Sequence, residues 1–187
     1  YRSQDLKNWE FDRELTTEDA FGYMWECPDF FELSGEKILS VSPQGLEREE
    51  ERFQNIYQSG YFIMDKNQVS AENFQDWDMG FDFYAPQTFE TPDGRRILIG
   101  WAGVPDAEYS SNPTNEGWQH SLTVPRELRY HNGKIYQLPI RELGQLRKKE
   151  ILPEKESYVL DNGCGELIFD GIAGASSAAI CVQIGTG

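Results

Sequence analysis

Pro86-Gln-Thr-Phe-Glu-Thr-Pro-Asp-Gly94-Arg-Arg-Ile-Leu98 reads as a strand, a turn at Asp93-Gly94 and a second strand. The Asp-Gly pair supplies the positive φ that a tight two-residue hairpin turn requires. The same order of proline, apolar or aromatic residue, glycine turn, basic residue and apolar strand recurs twice. Pro28-Asp-Phe-Phe-Glu-Leu-Ser-Gly35-Glu-Lys-Ile-Leu39 turns at Ser34-Gly35, and Pro125-Arg-Glu-Leu-Arg-Tyr-His-Asn-Gly133-Lys-Ile-Tyr136 turns at Asn132-Gly133. Hairpins beginning at residues 28, 86 and 125 are spaced as propeller blades of about 40–50 residues would be, one of them carrying an insertion. The expected fold is therefore all-β with radial repetition, a plain sandwich meander being the alternative. Blades would place Glu26, Tyr84 and Thr123, each two residues before its proline, on one strand of successive units, facing a common funnel.

Outward from the hairpins, Lys37-Ile-Leu-Ser-Val-Ser42, Gly60-Tyr-Phe-Ile-Met64 and Arg96-Ile-Leu-Ile-Gly-Trp101 are bounded by turn residues and predict strands of about 4–7 residues. Residues 140–149 predict a helix, because Ile140, Leu143 and Leu146 recur on one side and basic residues crowd its C-terminal end. Beyond Lys149 the repeat pattern stops. Segments 157–160, 166–169 and 178–184 predict the first strands of a second β domain, which by itself is too short to bury a stable core.

Composition bounds the function. Of 187 residues, 39% are hydrophobic and 13% aromatic, which requires a folded core rather than a disordered chain. With 17 Lys+Arg against 32 Asp+Glu, the net charge of −15 repels polyanions and speaks against nucleic acid or an anionic membrane as partner. No apolar run approaches the ~18 residues of a membrane span. Cys27, Cys164 and Cys181 are odd in number and widely spaced, with neither zinc-ligand spacing nor a disulfide framework. Reduced thiols and a cytoplasmic location are the expectation. Tyr1 is not an initiator methionine and no leader follows it, so the natural N-terminus is expected to have been removed or to lie upstream.

Glu26 stands in Met24-Trp25-Glu26-Cys27-Pro28-Asp29-Phe30-Phe31, among large apolar side chains whose desolvation would raise its pKa toward that of a general acid. Glycoside hydrolysis is the chemistry most natural to such a carboxyl, with a second carboxyl as nucleophile or base. The other reading is a strand-end glutamate paired with an arginine. Trp9, Trp25, Trp77, Trp101 and Trp118 are each either a sugar platform or a core residue.

Together these segments resemble glycoside hydrolase family 32, the invertases, sucrose-6-phosphate hydrolases and fructanases. Trp25-Glu26-Cys27-Pro28-Asp29 is similar to the family's Glu-Cys signature. Asp82-Phe-Tyr84-Ala-Pro-Gln87-Thr-Phe89, Arg95-Arg-Ile-Leu-Ile-Gly-Trp101, Ser121-Leu-Thr-Val-Pro-Arg-Glu-Leu128 and Tyr1-Arg-Ser-Gln-Asp-Leu-Lys-Asn-Trp9 resemble its other stretches, in family order from residue 1 to about 145. The resemblance implies the later blades of a five-bladed propeller over residues 1–143, then a linker and the start of a C-terminal β-sandwich over 144–187. It implies hydrolysis of β-fructofuranosides with retention, Glu26 being the acid/base. Cys27 would tune Glu26, and Asp82, Tyr84 and Trp101 would line the fructosyl pocket.

The family's nucleophilic aspartate lies in a Trp-Met-Asn-Asp-Pro-Asn-Gly motif and its fructose clamp in an Arg-Asp-Pro motif, and neither occurs here. Retaining hydrolysis needs two carboxyls about 5–5.5 Å apart, so these residues alone are expected to be inactive. They are also expected either to associate with a complementary N-terminal segment or another copy, or to be ordered within a longer chain. Two other readings remain, a non-catalytic carbohydrate-binding propeller and a related glycosidase acting on arabinose or levan. No metal or organic cofactor is expected. Among cations for a sugar phosphate, Arg2, Arg48, Arg52 and Arg126 are candidates, Arg126 having the competing reading of an ion-pair partner to Glu127 or a neighbour. The run Leu46-Glu-Arg-Glu-Glu-Glu-Arg-Phe53 reads as a solvated loop or short helix.

Overall fold

Apolar and β-branched residues at strand spacing fold the chain into two antiparallel sheets. In the computed structural model, which describes residues 1–66, 68–107, 117, 120–151, 158 and 164–168, the first sheet contains β1 (Met24–Leu33), β2 (Glu36–Gln44), β3 (Gly60–Ile63) and β4 (Gln75–Asp76), in that spatial order. The second contains β5 (Tyr84–Glu90), β6 (Arg96–Ala102), β8 (Arg126–His131) and β9 (Lys134–Pro139), with β7 (Ser121–Leu122) also paired to β6. The chain divides into two units, Tyr1–Leu146 and Arg147–Gly187, and both sheets lie in the first.

Strand β2 is the spine of the first sheet. Its residues from Ile38 to Pro43 are buried on both faces, so a near-continuous apolar run replaces the usual alternation. Ile38 packs with Phe31, Tyr61 and Trp77 and, from the second sheet, with Leu98, Leu128 and Ile135. Leu39 and Val41 face the other way, onto Phe53, Phe62, Met64 and Phe74. Polar side chains around β2 are paired: the Trp77 Nε1–H donates to Ser40 Oγ at 2.9 Å, and the Ser42 and Ser59 hydroxyls meet at 2.9 Å. Tyr61 ties the sheets together, accepting the Ile135 N–H at 3.2 Å while donating to Gln75 Oε1 at 2.8 Å.

Several expectations need correction. The hairpin starting at Pro125 does not open a third repeat, because β8 pairs onto β6 and β9 onto β8, completing the sheet that Pro86 begins. Thr123 therefore does not occupy the place of Glu26 and Tyr84. It sits between β7 and β8, bonded to Gly100, whose N–H donates to Thr123 Oγ1 at 3.0 Å.

The Asp93-Gly94 turn is a three-residue loop rather than a two-residue one. Thr91 N donates to Arg95 O at 2.9 Å, and of the intervening residues only Gly94 takes positive φ, at 79°. Ser34-Gly35 and Asn132-Gly133 do form two-residue turns with both φ positive.

The helix expected over 140–149 is a 3₁₀ helix confined to Arg141–Leu146, with no basic residue in its last turn. A repeat of three suits the three residues per turn of a 3₁₀ helix, and Arg147 to Lys149 fall beyond its end. Residues 164–168 carry no strand; apart from Tyr158, the segments 157–160 and 178–184, with Cys181, lie outside the described residues.

Candidate active site

Glu26 and Tyr84 are aimed by matching irregularities in the first strand of each sheet. Glu26 pairs with Ser42 and Asp29 with Ser40, so Cys27 and Pro28 together oppose Val41. In the second sheet Tyr84 pairs with Trp101 and Gln87 with Ile99, so Ala85 and Pro86 oppose Gly100. Each bulge consists of a residue at positive φ, 48° at Cys27 and 49° at Ala85, followed by a proline. Proline has no ladder N–H to lose, and the extra residue bends the strand and turns the preceding side chain. The two bulges lie side by side. Gln87 Nε2 donates to the Cys27 carbonyl at 3.1 Å, and Asp29 Oδ2 accepts both the N–H and the hydroxyl of Thr88 at 2.7 Å.

One oxygen of Glu26 is the focus. Oε2 accepts the Tyr84 hydroxyl at 2.9 Å and Gln44 Nε2 at 3.0 Å, and the same Gln44 nitrogen lies 3.3 Å from the Tyr84 oxygen. Among the described residues no lysine or arginine pairs with Glu26, so the reading as a strand-end ion pair finds no partner there. Burial, together with the Glu26 carboxylate, pushes the Tyr84 hydroxyl far above its ordinary pKa, although the Gln44 contact opposes the rise. Tyr84 is thus a protonated donor throughout the neutral range. Burial and the adjacent Glu26 also raise the Cys27 thiol, which therefore stays protonated rather than becoming a thiolate nucleophile.

Trp101 is the cross-strand neighbour of Tyr84, the rings meeting edge to face at 6.5 Å, and on its other side it meets His120 at 4.9 Å. Asp82 lies in the bend before β5, half-buried; the two hydrogen bonds to Glu26 come from Tyr84 and Gln44 instead. The structure thus gathers Glu26, Cys27, Tyr84 and Trp101 and adds Gln44, which the sequence did not single out. The one signal for Gln44 was a polar residue closing an otherwise buried strand.

The remaining aromatics divide. Trp77 is core, Trp25 packs on Phe62 with its N–H on the Phe21 carbonyl at 2.7 Å, Trp9 is exposed, and Trp118 lies outside the described residues. Of the four arginines, three are held by carboxylates: Arg2 by Asp12, Arg52 by Asp76, and Arg126 by Asp78 at 2.7 Å. Arg126 is thus an ion-pair residue, with Asp78 rather than Glu127 as partner. Arg48 is exposed in the acidic run. No cluster of metal-ligating side chains, and no helix long and apolar enough to cross a membrane, occurs among the described residues.

Comparison with known proteins agrees with these motifs. Residues 1–139 match the profile described as the glycosyl hydrolases family 32 N-terminal domain. The chain is 52% identical over 155 residues to a sucrose-6-phosphate hydrolase of Staphylococcus xylosus, covering 80% of this chain and 31% of that one. It is 46% identical over 160 residues to the Bacillus subtilis (strain 168) sucrose-6-phosphate hydrolase, covering 80% and 33%. Among solved structures, a GH32 β-fructofuranosidase of Bombyx mori superposes with a TM-score of 0.73 at 39% identity, over 81% of this chain and 33% of that one. The sucrose-6-phosphate hydrolase of Lactobacillus gasseri gives 0.68 at 34%, over 78% and 31%. The chain spans about a third of the length of these relatives. With its bulged Glu26-Cys27-Pro28 and Tyr84-Ala85-Pro86 strands and a profile match over 139 of its residues, it belongs to glycoside hydrolase family 32.

Proposed function

We propose that these residues form part of the catalytic domain of a retaining β-fructofuranosidase acting on sucrose, sucrose 6-phosphate or a related β-fructoside, with Glu26 as acid/base. The two sheets are then neighbouring blades of a five-bladed propeller and their bulged first strands line its axis. The observation that carries the reading is the Glu26 carboxyl: among the described residues it has no cationic partner, and two neutral donors hold one of its oxygens beside the Tyr84–Trp101 pair. In the first step Glu26 gives its proton to the glycosidic oxygen as the bond from the fructosyl anomeric carbon breaks. A carboxylate nucleophile from outside these residues forms an ester with that carbon. Glu26, now ionised, takes a proton from the water that cleaves the ester, releasing fructose and regenerating both groups. Cys27 acts as a neutral neighbour of Glu26, while Tyr84, Trp101 and Asp82 shape the fructosyl pocket.

In the full-length protein, Glu26→Gln is expected to lower sucrose hydrolysis by about a hundredfold or more, within the range general acid–base catalysis supplies, while sucrose still binds. Near-normal turnover by this variant would overthrow the assignment. Sucrose binding without turnover by the unaltered protein would favour the carbohydrate-binding alternative.

A further inference from the structure

Gln44 closes β2, and the backbone around it is built closely. It forms an isolated antiparallel bridge with Tyr57, beside which the Gln58 N–H donates to the Pro43 carbonyl at 3.2 Å, and its own carbonyl accepts the Tyr23 N–H at 2.9 Å. Two glycines make the packing possible. At Gly22, at φ 75°, an added Cβ would lie 2.3 Å from the Gln44 carbonyl oxygen. At Gly45, at φ 81°, it would lie 2.3 Å from the Tyr23 ring. The Tyr23 ring therefore packs against Gly45, and its hydroxyl donates to Gln44 Oε1 at 3.0 Å. With Oε1 occupied by that donor, Nε2 faces Glu26 Oε2 and the Tyr84 oxygen.

Both donors converge on one oxygen of the carboxyl, and among the described residues Oε1 accepts no hydrogen bond. An oxygen already accepting two hydrogen bonds has little room for a proton of its own. Resting on the reading of Glu26 as acid/base, we propose that Gln44, oriented by Tyr23, is a positioning residue that keeps Oε2 an acceptor and so directs the transferable proton to Oε1. The Gln44 amide does not titrate, so, like the Tyr84 hydroxyl in the neutral range, it serves both the protonated and the ionised stage of the cycle. Gln44 belongs to the neighbouring strand rather than to the Glu26 segment, and so fixes the carboxyl relative to the sheet.

The test uses the full-length protein with two substrates, sucrose, whose leaving oxygen needs a proton, and β-D-fructofuranosyl fluoride, whose fluoride departs with little proton assistance. Gln44→Met keeps the side-chain length and removes both polar atoms. Its kcat/KM on sucrose is expected to fall about tenfold, as a misplaced acid would cause, with the loss on the fluoride below about threefold. Tyr23→Phe removes a single hydroxyl from a ring that is 69% exposed, so its fold is not at risk. It should show the same substrate-selective loss at about two- to threefold. Equal losses on both substrates, or sucrose kinetics within twofold of the unaltered protein, overturn the proposal. If Gln44→Met does not fold, Tyr23→Phe decides by the same criterion. Glu26→Gln run alongside separates the two claims: retained sucrose turnover sinks the acid/base reading, whereas its loss with a neutral Tyr23→Phe sinks only the role of Gln44.

Discussion

At the scale of single residues, the proposed acid/base is a carboxyl whose hydrogen-bond donors among the described residues are a hydroxyl and an amide. Tyr84→Phe leaves the edge-to-face contact with Trp101 and removes only the hydroxyl donor to Glu26. Its expected effect is a fall in kcat of about tenfold with unchanged thermal stability, read by steady-state kinetics and calorimetry on the full-length protein. Gly103 is equally exposed to test. A Cβ there would lie 2.3 Å from Trp101 Nε1 and 2.8 Å from His120 Nδ1, so Gly103→Ala must push the indole out of place. A rise in KM for sucrose exceeding any fall in kcat is expected, and an unchanged KM would remove Trp101 from the pocket.

Individual elements are joined by a few polar clamps. Asp29 holds Thr88 through two hydrogen bonds and so locks the β1 bulge to the β5 bulge. Asp29→Ala leaves a half-buried N–H and hydroxyl without that acceptor and is expected to cost about 2–3 kcal/mol, measured by urea unfolding. At the other end of the second sheet, Asp93 binds Thr91, Arg95 and Arg141, and Arg95 reaches Glu142 of the 3₁₀ helix at 2.7 Å. The Thr91 hydroxyl and then Arg95 hold the Asp93 carboxyl down at about 2. A depressed folded-state pKa contributes stability that is present above the ordinary carboxylate range and lost as pH falls from about 4 toward 2. Asp93→Asn should therefore flatten the melting temperature between pH 5 and 2.5 relative to the unaltered protein. Parallel curves would show that the clamp contributes nothing.

For the molecule as a whole, the sheets present apolar side chains to solvent. Phe30 on β1 is 56% exposed, Phe89 on β5 49% and Tyr136 on β9 51%. We propose that these faces are covered by neighbouring blades in the parent domain, and that the 187 residues by themselves hydrolyse no sucrose. Size-exclusion chromatography of this chain should show self-association, or a defined complex when an N-terminal segment of the parent is supplied. A stable monodisperse monomer, or sucrose turnover free of host invertase, would contradict the expectation.

Local chemistry decided much of this protein in advance. The Asn132-Gly133 turn, the strands at 37–42, 60–64 and 96–101, and Glu26 beside Cys27 and Pro28 depend on backbone preference and on side chains adjacent in the chain. Which sheet each hairpin joins could not be read the same way, because turn signals mark a hairpin without naming its partner strand. The Pro125 hairpin accordingly completes the sheet of Pro86 rather than opening its own. The alliance of Glu26 with Tyr84, 58 residues away, and with Gln44, 18 residues away, depends on bulge geometry and strand register. The Gln44 contact needs β1 to pair with β2, and the Tyr84 contact needs the two sheets to pack; hydrogen bonds between distant residues leave no local periodicity behind.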